Sequence, residues 1–154
     1  MITILAKVKA LYSDAKRYHW QCNGQDFNGD HLLFDRVADT FSNDVVDGLS
    51  EIYYMSEHRE ELEDLNELTA LVQEQEGYKF SEEELSHNNI NLMMVQELSA
   101  RIEELLPLLR EEEKYSQAVM NKLDELASAS TQILGLLKAR IANNVVLSKL
   151  HRLF

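Results

Sequence analysis

Residues 31–55 read HLLFDRVADTFSNDVVDGLSEIYYM, and the reading of this stretch decides the fold. Phe34, Val37, Ala38, Phe41, Val45, Leu49 and Ile52 recur at helical spacing and form one apolar stripe. His31, Asp35, Asp39, Asn43, Asp47 and Glu51 follow one another at i+4, a polar ladder that drifts around the helix by about 40° per step. The two patterns predict one long amphipathic helix, capped by Asp30 and reaching to about residue 57.

Working outward, Ile4, Val8, Leu11, Ala15 and Tyr18 mark an earlier helix over residues 2 to 22. It is joined to the first by a loop, Asn23 to Gly29, rich in residues that accept positive φ. On the other side, His58 to Glu76 favours helix and either extends the long helix or forms a separate crossover helix. Ser81-Glu82-Glu83-Glu84 has the form of a capping box, so a third long helix is expected to start there and run past Met94, Leu98, Ile102 and Leu105 to Leu109, kinked near its end by Pro107. A fourth reads from about Ser116 through Leu123, Ile133 and Ile141, and an apolar tail, Val145 to Phe154, follows it. The expectation is an all-α, single-domain chain over residues 1–154: a four-helix bundle with a short first loop, a long crossover and a short C-terminal helix or tail.

With five Gly and one Pro in 154 residues, turns are few and the elements are long. A net charge of −12 with no Lys/Arg-rich tail argues against direct binding to a phosphate backbone. One cysteine, Cys22, rules out an internal disulfide and fits a reducing compartment. No signal-peptide pattern and no membrane-length apolar run is evident, so a cytoplasmic, membrane-free protein is expected. Repeats and Gly-rich phosphate loops are lacking, which excludes solenoids and nucleotide-binding folds.

Every member of the ladder except Asn43 is a potential metal ligand. Imidazole and carboxylate together suit Fe(II) or a similar divalent ion, and ligands one helical turn apart reach the same ion. For any single residue a solvated helix face is the plainer reading; the ladder as a whole, with His19 near the end of the preceding helix, points to a site. Glu84-Leu85-Ser86-His87 has the Glu-x-x-His form of intrasubunit di-iron bundles. The capping box already explains Glu84, however, and the fourth helix offers only Asp124 and Glu125, without a histidine. The first helix adds only Asp14. His58 and His151 read as solvated, and Cys22, Tyr53 and Tyr54 as packing residues.

The run His19-Trp20, then Gly24 and Phe27, then His31 and Asp35, resembles the DNA-protecting mini-ferritins of starved bacteria (Dps), most strongly over residues 12 to 55. The resemblance implies a ferritin-like bundle assembled as a homo-oligomer, a hollow dodecamer. In it His19, His31 and Asp35 of one subunit and Asp47 and Glu51 of the two-fold-related subunit bind iron, with Trp20 beside it. It further implies a ferroxidase that oxidises Fe(II), preferably with hydrogen peroxide, and stores Fe(III) inside. Direct DNA binding does not carry over, for want of the basic tail.

One departure matters. Asp47 follows Asp35 by twelve residues where the family has eleven, and Val46 stands at the strict position. On a regular helix eleven steps return a side chain to within about 20° of its starting direction, and twelve leave it about 120° away. A π-bulge eased by Gly48 would restore the register. Otherwise the second half-site is incomplete, with Asp39 as a substitute, or the chain is a ferritin-like shell or interaction protein without ferroxidase activity.

Overall fold

The computed structural model describes residues 1–56, 65–111 and 115–153, with side chains described except at Leu65 and from residue 144 onward. Its elements are α1 (Ile2–Gln21), α2 (Phe27–Thr40), α3 (Asn43–Ser56), α4 (Leu65–Gln75), α5 (Glu82–Leu85), α6 (Ile90–Leu109) and α7 (Gln117–Leu153). No strand occurs among the described residues, so the chain is all-α as expected. Of these helices none is long and apolar enough to cross a membrane.

The expected apolar stripe of α1 is buried from Ile4 to Tyr18. The helix stops where Cys22 turns to an extended conformation (φ −61°, ψ 151°), and Gly24 supplies the positive φ (79°) that reverses the chain. His19 and Lys16 of α1 then face His31 and Asp35 of α2, so the two helices run antiparallel.

Three further pairings set the remaining directions. Asn23 meets Asn91 and Asp14 meets Arg101, which makes α1 antiparallel to α6. Asp30 meets Arg140 and Ser56 meets Ser116, which makes α2 and α3 antiparallel to α7. Glu103 meets Lys138 and Arg110 meets Thr131, which sets α6 against α7 in the same sense. Contacts close a ring from α1 to α2 and α3, on to α7, to α6 and back to α1, while α4 lies on α1. Apolar side chains from all four sides of the ring, among them Leu11, Phe34, Tyr53, Leu98 and Leu123, make one buried cluster inside it. Burying such side chains is what favours the ring, each contributing on the order of 1.5–3 kcal/mol.

Several expected boundaries are corrected. The helix read as continuous from Asp30 is interrupted at Phe41 and Ser42. Phe41 is fully buried with φ −112° and ψ 31°; its N–H is shared between the carbonyls of Val37 and Ala38. The carbonyl of Ser42 then accepts from both Val45 and Val46 to restart the coil. The irregularity is thus a helix break rather than a π-bulge. Asp30 is not a cap: α2 starts three residues earlier, and Asp30 is buried inside its first turn.

The capping box forms as read, with Ser81 Oγ accepting from Glu84 N–H and Glu84 Oε1 accepting from Ser81 N–H. It begins only the short α5, because His87-Asn88-Asn89 forms a turn in which Asn89 N–H donates to His87 Nδ1, and the long helix starts afresh at Ile90. Pro107 occupies the last turn of α6, and the helix ends two residues later. Instead of a separate tail, α7 continues unbroken to Leu153. On the crossover segment α4 is helical from Leu65; the span from residue 57 to 64, with His58, lies outside the described residues, as does the side chain of His151.

Candidate metal centre

His19 and His31 are brought together. Their rings stack with centroids 3.6 Å apart and planes 17° from parallel. His19 Nδ1–H donates to the His31 carbonyl at 2.6 Å, and His31 Nδ1–H donates to the His19 carbonyl at 2.7 Å. A carbonyl oxygen only accepts, so each Nδ1 carries the hydrogen, and Nε2 is the nitrogen that an uncharged ring offers to a metal. This is how metal-ligating imidazoles are oriented elsewhere, by a hydrogen bond from the nitrogen that does not bind. Phe27 stacks on the outer side of His31 with centroids 4.8 Å apart. Both histidines are half-buried.

Asp35 lies one turn beyond His31, also half-buried. Its Oδ1 accepts from Lys16 Nζ at 2.8 Å. That ammonium, followed by the nearby His19 and His31 rings, holds the Asp35 carboxyl below the ordinary carboxylate range, and Asp35 in turn raises the Lys16 ammonium. Three of the five expected ligands therefore occupy one neighbourhood.

Asp47 and Glu51 do not join them within the chain; both are exposed on α3, beyond the break. Among the described residues no three His, Cys, Asp or Glu side chains, His19, His31 and Asp35 included, gather closely enough within one chain to hold a metal. Their direction is set by the break. Phe34 and Val46, Val37 and Leu49, and Phe41 and Tyr53 are all buried pairs, and each pair is twelve residues apart. On an unbroken helix twelve steps would swing the second member of a pair about 120° from the first. The break removes that offset, and what it does for Phe34 and Val46 it does for their neighbours Asp35 and Asp47, and for Asp39 and Glu51. Val46, at the strict family position, is 5% exposed and belongs to the core.

Among the described residues the bundle interior offers nothing comparable. Asp14 points inward, fully buried, yet it is saturated by Arg101, by Arg17 at 2.7 Å and by the Gly77 N–H at 2.8 Å. Glu84 serves the capping box and accepts from Tyr78 Oη at 2.9 Å. Asp124 and Glu125 are exposed. Cys22 is buried, and burial pushes its thiol up to about 11, so it stays protonated. Tyr53 packs edge-on against Tyr115, and Trp20 is 72% exposed.

Two features were missed in the sequence. Lys16 stands three residues before His19, on the side of α1 that a hairpin turns towards Asp35, and that spacing was the available signal. A buried network also ties the α1–α2 turn to the rest of the chain. Asp30 accepts from Arg140 Nε at 2.8 Å and from Asn91 Nδ2 at 3.0 Å, while Asn91 exchanges hydrogen bonds with the Asn23 backbone. Nothing local in sequence announces a partner 110 residues away.

No protein-family model, no curated protein and no solved structure matches the chain.

Proposed function

We propose that this chain is a ferritin-like, iron-oxidising and iron-storing protein of the mini-ferritin kind, working as a homo-oligomer with its iron sites between two-fold-related copies. The observation that carries the reading is the reciprocal histidine pair: two stacked imidazoles, each held by its Nδ1–H on the other residue's carbonyl, with Asp35 one turn further along α2. A nitrogen and oxygen donor set of this kind suits Fe(II). Helix directions support the bundle, since α1 runs with α7, α2 and α3 run with α6, and neighbours in the ring are antiparallel, the order that a long crossover requires.

The ligand set of one chain is incomplete, and Asp47 and Glu51 face solvent in the register of Asp35 and Asp39, available to a second copy. Trp20 and Leu32, 72% and 65% exposed, each follow one of the histidines in sequence, and Phe27, stacked on His31, is exposed as well; these are apolar side chains that such a copy would cover. Iron is the substrate. Two Fe(II) ions each give one electron to hydrogen peroxide, which takes up two protons and leaves as two waters, and the Fe(III) passes to the store. His19, His31 and Asp35 bind and orient the ion from one side, and Asp47 and Glu51 neutralise its charge from the other.

The test is anaerobic titration with Fe(II) followed by peroxide. Stoichiometric binding and rapid oxidation by the wild type, both lost in His31→Ala, are expected; an oxidation rate unchanged in His31→Ala refutes the reading. A second reading, a ferritin-like shell without ferroxidase activity, is favoured by one observation: Lys16 satisfies Asp35 without any metal. Under that reading the wild type binds no stoichiometric iron.

A further inference from the structure

We propose that the cleft beside the α2–α3 break is a binding site for a small organic cation, an ammonium carried on an apolar body. The inference goes beyond the iron reading and does not depend on it, since none of the residues lining the cleft is among the five expected iron ligands. A cavity of about 370 Å³ opens between α3 and α7. Pockets that hold small molecules run from roughly 300 to 1,000 Å³, so one such molecule fits. The floor is apolar, with Val45 and Leu49 on one side and Leu126 and Ala129 on the other. Gly48 keeps it open: a Cβ built there would meet nothing within 4 Å, although a residue with a side chain would favour the helix more.

The break supplies the polar end. An unbroken helix would pair the carbonyls of Asp39, Thr40 and Phe41 with N–H groups one turn further on. Instead the coil stops at Thr40, and the Val45 N–H bonds to the Ser42 carbonyl. Among the described residues no backbone N–H reaches the carbonyls of Asp39, Thr40 or Phe41. Thr40 lines the cavity, which therefore adjoins the negative end of the α2 dipole. The start of α3 carries the opposite partial charge, and Asp44, in its first turn and also on the cavity, offsets it. At the rim Lys122 and Glu125 pair with each other at 3.6 Å, and their charges cancel. The Thr40 hydroxyl donates to the Arg36 carbonyl at 3.0 Å and is not free to serve an anion. One end of the cleft thus holds a surplus of acceptors and negative charge, and the rest is apolar. An ammonium, all donors and no acceptor, matches that end; a carboxylate would face Asp44 and the unpaired carbonyls.

The experiment is equilibrium dialysis of the full chain against tryptamine, an indole on an ammonium arm, with indole-3-propionate as its anionic counterpart. The wild type, Gly48→Leu and Asp44→Asn are compared. Gly48→Leu fills the cavity with a good helix former, and its melting temperature, expected to be no lower than that of the wild type, shows that the fold is kept. Saturable binding of tryptamine by the wild type, about 10-fold weaker binding of indole-3-propionate, a loss of about 3-fold in Asp44→Asn and no binding in Gly48→Leu support the proposal. Absence of saturable tryptamine binding in the wild type overturns it, and so does binding in a folded Gly48→Leu equal to wild type. Equal affinity for the two probes overturns the assignment of a cation. None of these results bears on the histidine pair, whose test is iron binding.

Discussion

Replacing Asp30 by alanine tests whether the buried network holds the turn that presents His31 to His19. Asp30 is 2% exposed and accepts three hydrogen bonds, from Arg140 Nε at 2.8 Å, Arg140 Nη2 at 3.1 Å and Asn91 Nδ2 at 3.0 Å. Its removal leaves a largely buried guanidinium without its close carboxylate and strips Asn91 of one acceptor. Taking one partner from a buried ion pair costs about 3–5 kcal/mol. Arg140 keeps 18% exposure and a contact to Asp26 at 3.4 Å, which lowers the expected loss to about 2–3 kcal/mol. For a chain of this size that is a fall of roughly 5–10 °C in melting temperature. Thermal and urea unfolding followed by circular dichroism measure it, with Asp39→Ala, an exposed ladder position, as a control within about 0.5 kcal/mol of wild type. A loss in Asp30→Ala no larger than in the control refutes the reasoning, for the network would then be incidental to the turn.

Gly77→Ala is expected to lose about 1–3 kcal/mol in urea unfolding, because the added Cβ would stand 2.5 Å from Arg101 Nη1 and 3.2 Å from Asp14 Oδ2, in the clamp that fastens the crossover to α1 and α6; an unchanged midpoint would show that the clamp shifts freely. With its thiol pushed from 9.0 to about 11, Cys22 is expected to react with a disulfide reagent at pH 8 on the order of 100-fold more slowly in the native chain than in urea. Equal rates would contradict its burial. The same shift lets the unfolded chain lose the thiol proton first, so its contribution to stability is complete below pH 9 and declines as the pH rises towards 11, which unfolding midpoints across that range would register.

The apolar stripes of α1 and α6 were legible because periodicity is local, and so was the capping box at Ser81, whose residues answer one another within a turn. The break at Phe41 and Ser42 was not. The polar ladder and an apolar stripe both continue across it at helical spacing, and only the set of buried positions tells which register holds after it; Val45 and Val46 are equally apolar, and the core takes Val46. Asp30 reads as a cap because aspartate favours that place, and its true surroundings come from Arg140 and Asn91 far along the chain. For the candidate site, sequence gave the two histidines and Asp35 as neighbours, and the stacked geometry added which nitrogen of each ring is left to bind. What spacing alone could not resolve was whether Asp47 stays in line with Asp35, since that depends on how the backbone absorbs one residue.

The central claim is that the two Nε2 lone pairs of His19 and His31 belong to an iron site completed by a second copy. Diffraction from crystals soaked anaerobically with Fe(II), recorded across the iron absorption edge, tests it most directly. The account predicts an anomalous peak within bonding distance of His31 Nε2 and an Asp35 oxygen, with Asp47 and Glu51 of a two-fold-related copy on its far side. Iron bound elsewhere, or a histidine pair left bare in a crystal that holds iron, would contradict it.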